Sequence, residues 1–201
     1  ALGTTHHSLH DFAVLRAINN ITIVAPADNF EAEQAVKLAA ESTKPVYLRF
    51  GKKPLPLLNA GETTFAFGKG RVIKTGADLA IIANGETVHP ALQAANKLQQ
   101  KHGIAATVVS MHTIKPLDTG LLARLADSAN AMITVEEHMV NGGLGEACAA
   151  YLLQNGYNKP FKIMGIPDEY TVTGSQGEIL GHYGISESGI AAEALKLLGI
   201  D

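Results

Sequence analysis

Six short apolar runs punctuate this chain, at residues 21–25, 45–49, 79–83, 105–110, 131–135 and 161–166. They are rich in Val, Ile and Ala, and most lack clean polar–apolar alternation. Strands buried on both faces of a parallel sheet have this pattern. Segments of helical periodicity lie between them, several with start signals. Asp28 followed by Glu31 predicts a capped helix running to about Glu41. Val88, Ala91, Leu92, Ala95 and Leu98 share one helical face, with Pro90 tolerated in the first turn. Asp118 and Gly143 open two more helices, and Ser186 or Ser188 opens the last. This alternation predicts an α/β fold with a mainly parallel sheet.

Residues 51–70 break the pattern with Gly, Pro and Lys and read as a connection. The part before it holds two strands and two helices, too few for a sheet core of its own. The expected organisation is therefore the end of a larger domain over 1–55, a linker over 56–68, and a complete domain with a mainly parallel five-stranded sheet over 69–201. A start at Ala1 without Met fits a chain that continues upstream.

Several function classes are excluded early. The longest uninterrupted apolar run, residues 147–153, is far short of the roughly 20 that span a bilayer. A net charge of −3 with no Lys/Arg cluster argues against a nucleic-acid partner. The lone Cys148 forms no internal bridge, sits on an apolar helix face as inert packing, and points to a reducing, cytoplasmic setting.

Three histidines crowd the start, His6, His7 and His10, and three readings fit them. They are metal ligands with Asp11, a solvated turn before a helix, or imidazoles that titrate near neutral pH and donate to substrate oxygens. Arg16 and Arg49 sit beside apolar sequence. Arg49 closes a predicted strand, the end at which open parallel sheets bind ligands, so it suits a phosphate or carboxylate as well as a surface ion pair. Glu136-Glu137-His138 and the following Asn141-Gly142-Gly143-Leu144-Gly145-Glu146 lead into a helix. Anion binding at that helix start, a catalytic acid–His cluster and a structural glycine turn with a hydrogen-bond network all remain open. A second glycine-rich stretch, residues 173–184, reads as a short capped helix and a turn.

In order along the chain, these segments resemble the transketolase family. Gly3-Thr4-Thr5-His6-His7 is similar to its G-P-T-H-[HQ] turn, and Arg16-Ala17-Ile18-Asn19-Asn20 to its R-x-[IL]-P-N. Val24-Ala25-Pro26-Ala27-Asp28 and Pro45-Val46-Tyr47-Leu48-Arg49 are similar to V-x-P-x-D and P-x-x-[LV]-R. Lys115-Pro116-Leu117-Asp118, the Glu136-to-Glu146 stretch, Gly165-Ile166-Pro167-Asp168 and Tyr183-Gly184-Ile185 complete the series. Thr4 and Asn19 replace two family prolines, His10 stands where Glu is common, and Leu2 where sugar-using members carry Asp.

The resemblance implies the end of a pyrimidine-binding domain followed by a transketolase C-terminal domain. It further implies dependence on thiamine diphosphate and a divalent cation (Mg or Ca), both held mainly by parts outside this chain. The implied activity is transfer of a two-carbon ketol unit between sugar phosphates, inactive without an N-terminal portion or subunit, in a homodimer. By the same resemblance His6 is catalytic, while Arg49 and, secondarily, His7 bind substrate. Deoxyxylulose-phosphate synthase, the β chain of a 2-oxoacid dehydrogenase and a non-catalytic dimerisation domain are the competing expectations.

Overall fold

The computed structural model describes residues 8–51, 54–58 and 64–200. The elements run in the order α1 (Asp11–Arg16), β1 (Thr22–Val24), α2 (Asn29–Glu41), β2 (Val46–Leu48), β3 (Arg71–Lys74) and β4 (Leu79–Ala83). They continue with α3 (Val88–His102), β5 (Ala106–Ser110), β6 (Thr113–Lys115), α4 (Thr119–Ser128), β7 (Ala131–Met139), α5 (Leu144–Gln154), β8 (Phe161–Ile166), α6 (Gln176–His182) and α7 (Glu187–Leu198).

The larger sheet has the order β3-β5-β4-β7-β8. Its four strands β4, β5, β7 and β8 are parallel, and β3 joins the edge antiparallel to β5. Strand pleating sends alternate residues to opposite faces. Leu79, Ile81 and Ala83 therefore pack with Val88, Ala91 and Leu98 of α3 and Ile190 and Ala194 of α7. Ala80 and Ile82 pack on the other side with Leu121, Leu122 and Leu125 of α4 and Leu144, Cys148 and Leu152 of α5. Both faces are covered, which is why the runs show no alternation. Burial pushes the Cys148 thiol up, in keeping with inert packing.

The expected fifth strand of this sheet is β3, Arg71-Val72-Ile73-Lys74, a short strand with a charged residue at each end, which suits an edge. It lay inside no apolar run. Strand β7 also runs four residues beyond the predicted end, to Met139, because Met139 N–H donates to Leu9 and Val140 N–H to Ile166. Glu136-Glu137-His138 is thus strand, not loop.

A second sheet has the order β2-β1-β6. Here β1 and β2 are parallel, and β6, which comes after β5 of the larger sheet, runs antiparallel to β1. Ile114 of β6 completes a small core with Phe12, Ile23 and Ala25. The first part of the chain thus obtains its missing strand from a segment some ninety residues on. The two sheets are further tied through α2. Asp28 caps it by accepting from Glu31 N–H at 2.8 Å. The Glu31 side chain turns inward, accepting from Ala27 N–H at 2.8 Å, from Ser110 Oγ at 3.0 Å and from Arg71 Nη1 at 2.7 Å. No helix among the described residues is long and apolar enough to cross a membrane.

Candidate functional site

The carboxyl ends of the parallel strands in the two sheets face one another across a cavity of about 700 Å³. Ala25 follows β1 and Arg49 follows β2 on one wall. Asn84 and Glu86 follow β4, Glu137 lies on β7, and Ser175 and Gln176 open α6 on the other. Carboxyl ends of parallel strands converge loop residues from several elements, which makes them the usual ligand side of such sheets.

Arg49 is held from four directions. Nη1 donates to the Glu137 carbonyl at 2.7 Å, Nε lies 3.6 Å from Asp11 Oδ2, and Nη2 lies 3.9 Å from Glu137 Oε2. The guanidinium also sits 4.8 Å from the Phe12 ring centroid. Its side chain keeps 19% exposure, so the group is fixed yet reachable from the cavity. Tyr47 Oη donates to Asp11 Oδ2 at 2.9 Å, and burial and the Asp11 carboxylate push the phenol up, keeping it a donor.

The acid–acid–His stretch divides into three separate tasks. Glu136 is buried beneath the glycine turn and accepts from Leu144 N–H at 2.7 Å and Gly145 N–H at 2.8 Å. Burial pushes its carboxyl up to about 7, against the pull of those amides and of Arg16 and Arg49. Glu137 faces the cavity, where Oε1 accepts from Gln176 Nε2 at 3.0 Å. His138 is buried with its ring stacked on Phe12, centroids 4.9 Å apart. Its Nδ1–H donates to the Met139 carbonyl at 2.7 Å and Nε2 accepts from Ala13 N–H at 3.3 Å. Burial pushes His138 down, so the ring is neutral and structural in this arrangement.

The glycine turn is filled by protein. A Cβ on Gly142 would collide with the Ala13 side chain, and one on Gly143 with the Glu136 carboxylate. Arg16 Nη1 donates to the Gly142 and Gly143 carbonyls, which ties α1 to the turn. Arg16 is therefore a structural clamp, and the helix-start amides are already occupied by Glu136. Among the described residues no group of three or more His, Cys, Asp or Glu could hold a metal ion.

Of the expected site residues, the structure places Arg49 on the cavity wall, while His6 and His7 lie outside the described residues. His10 is exposed and precedes α1 without a side-chain capping bond. Sequence reasoning missed Tyr47, Asn84, Glu86 and Gln176, and weighed Asp11 only as a metal ligand. The available signal was position: each lies at or just past a strand's carboxyl end or at a helix start.

The protonation of Glu136 has a measurable consequence. Its carboxyl titrates at about 7 in the folded chain against an ordinary 4.5, so between those values the folded state holds a proton that the unfolded chain releases. Stability from this group is present below the lower value and lost as pH rises toward the upper one. His112 acts oppositely: burial pushes it down to about 3 from 6.5, so its contribution is lost as pH falls through that window. Glu136→Gln removes only the first slope. Relative to the unsubstituted chain, the variant gains stability between about pH 5 and about pH 8, read from urea unfolding midpoints. A pH-independent offset between the two chains refutes this.

Two families of known sequence match the chain: the transketolase C-terminal domain over residues 68–190 and the transketolase pyrimidine binding domain over residues 1–56. A subunit of the apulose-4-phosphate transketolase of Phocaeicola vulgatus is 43% identical over 199 residues, covering 98% of this chain and 63% of that protein. 1-Deoxy-D-xylulose-5-phosphate synthase of Syntrophus aciditrophicus is 38% identical over 201 residues, covering 98% of this chain and 31% of that protein. Among solved structures, a split gene transketolase described as an inactive beta4 tetramer superposes with a TM-score of 0.87 at 36% identity, covering 98% of this chain and 63% of that one. The chain thus spans less than two thirds of each of these relatives.

Proposed function

The chain belongs to the transketolase family, and from that premise we propose that it is the C-terminal portion, or a separate subunit, of an enzyme transferring a two-carbon ketol unit between sugar phosphates. The observation that carries this reading is Arg49, fixed at the carboxyl end of β2 on the wall of a cavity of about 700 Å³. Nη1 is spent on the Glu137 carbonyl, while Nη2 stays 3.9 Å from the Glu137 carboxylate, which leaves it for a substrate phosphate. Asp11 and Glu137 orient that guanidinium. His6, two residues before the cavity-lining Ser8, holds and moves a proton at the sugar oxygens in this proposal, and His7 assists binding.

Family members depend on thiamine diphosphate, which supplies the electron sink for cleaving the bond next to a ketose carbonyl. The proposal places the cofactor and its divalent cation mainly on an N-terminal portion or subunit, with 1–55 as the end of one domain and 69–201 as the next. The steps assigned here are binding, orientation and proton handling.

Combining this chain with the N-terminal portion is expected to yield ketose-phosphate-dependent, thiamine-diphosphate-dependent transfer to an aldose phosphate, with neither part active alone. The 38% identity to a deoxyxylulose-phosphate synthase favours a second reading, in which the donor is pyruvate. Turnover of pyruvate with none of a ketose phosphate establishes that reading and overturns ketol transfer.

A further inference from the structure

The acidic wall opposite Arg49 is organised by one side chain that the proposed transfer does not use. Gln176, the first residue of α6, donates through Nε2 to Glu86 Oε2 and, at 3.0 Å, to Glu137 Oε1. An amide nitrogen carries two hydrogens, so each carboxylate receives one. A reversed amide would set its oxygen against both carboxylates, which fixes the orientation. The backbone around this group is pinned. Ser175 caps α6 in a reciprocal box with Glu178, and Ile179 is buried. Glu86 sits in the short turn after β4, which Thr87 Oγ1 ties to the Val135 carbonyl of β7 at 2.8 Å. Glu137 lies two residues further along β7. Three separate stretches of chain thus meet at a single amide.

This amide decides what Arg49 can reach. Glu137 meets the guanidinium in two ways. Its carbonyl accepts from Nη1 at 2.7 Å, whereas its Oε2 stands 3.9 Å from Nη2, beyond hydrogen-bond reach. A carboxylate this close to a guanidinium gains a charge-assisted hydrogen bond by turning onto it. Here Oε1 is held on Gln176 instead. We propose that Gln176 is a positioning residue that keeps the Glu137 carboxylate off Arg49 and so leaves Nη2 to an anionic ligand. The carbonyl contact does not depend on Gln176. Orienting Arg49 and competing for it are therefore separable, one belonging to the backbone of Glu137 and the other to its side chain. Helix α6 comes after the connection, so the later part of the chain sets the state of an arginine in the earlier part. This role rests on the proposed function only for the identity of the anion as a substrate phosphate.

Inorganic phosphate titrated into this chain, followed by NMR at the Arg49 guanidinium, tests the role. Gln176→Leu removes the donor, and Gln176→Glu puts in its place a carboxylate of the same shape that repels Glu137. Each is expected to weaken phosphate binding about tenfold. Adding Glu137→Gln to either variant removes the competing charge and keeps the carbonyl. The affinity is then expected to return to that of Glu137→Gln alone, whereas damage to the packing of α6 would not be repaired at Glu137. Unchanged affinity in the single variants, or a loss that persists in the double variants, overturns the role. Gln176→Glu keeps the shape of the native side chain, so it decides even if Gln176→Leu fails to fold. Before any phosphate is added, the Arg49 Nη signals are expected to move in the single variants and to return in the double ones. That movement, combined with no phosphate binding by the unsubstituted chain, upholds the positioning role and removes the phosphate role of Arg49 from the proposed function. Arg49 signals that coincide in all of these chains overturn the positioning role.

Discussion

Arg71→Met is expected to lower the unfolding free energy of the chain by about 3–5 kcal/mol, because it strands a buried carboxylate. Glu31 is fully buried, and Arg71 Nη1 meets it at 2.7 Å with Asp28 Oδ2 3.8 Å away. The guanidinium also lies 4.9 Å from the Phe30 ring centroid. Removing the cation leaves Glu31 with only the Ala27 amide and the Ser110 hydroxyl. In a dry setting these do not repay the loss of water around a charge. The pair also joins α2 to β3, so its loss loosens the two sheets from each other. The double variant Glu31→Met/Arg71→Met is expected to recover most of the loss, since a buried ion pair and a well-packed apolar pair are often close in net stability. Urea unfolding of the three variants measures this. A single-variant loss below about 1 kcal/mol, the range of an exposed pair, refutes it.

The second large effect concerns substrate. Under the proposed ketol transfer, Arg49→Ala is expected to raise KM for a phosphorylated substrate by about a hundredfold, the equivalent of one lost charge-assisted hydrogen-bond contact at the upper end of its range. A non-phosphorylated ketose should be affected far less. Arg49→Lys is expected to recover little, because the arrangement uses the planar fork: one nitrogen on the Glu137 carbonyl, one near Asp11, and one left for the ligand. Steady-state kinetics of the reconstituted enzyme with the two kinds of substrate measure this. Equal losses on both would mean that Arg49 serves only to bind Asp11 and Glu137 together.

How far the site was legible in the sequence varies residue by residue. Arg49 was legible because it ends a strand, and a strand end is a local feature. Glu136 was legible as part of an acidic cluster, but its task was not. Its partners are the amides of Leu144 and Gly145 across a turn, and the alternative roles of that turn are chemically equivalent in sequence. Arg16 stood out only as a charge beside apolar sequence, and it spends its guanidinium on the carbonyls of Gly142 and Gly143. Asn84 carried no signal at all: it reaches the cavity wall only because β4 ends there, and which strand end lines a cavity exists only in three dimensions. His6 and His7 rest on the family resemblance alone.

By itself the sequence determined the strand–helix alternation, the two-faced burial of the large sheet, and the helix starts at Asp28, Asp118 and Ser186. All are set within about four residues, by side-chain period and by capping of unpaired amides. Only the tertiary structure decided that β6 leaves the larger sheet to complete the smaller one, that Glu31 finds Arg71, and that Asp11 and Asn84 face a common cavity. Those outcomes depend on which strands pair and which faces meet. They join residues about 40 to 90 positions apart, a separation over which no local propensity acts.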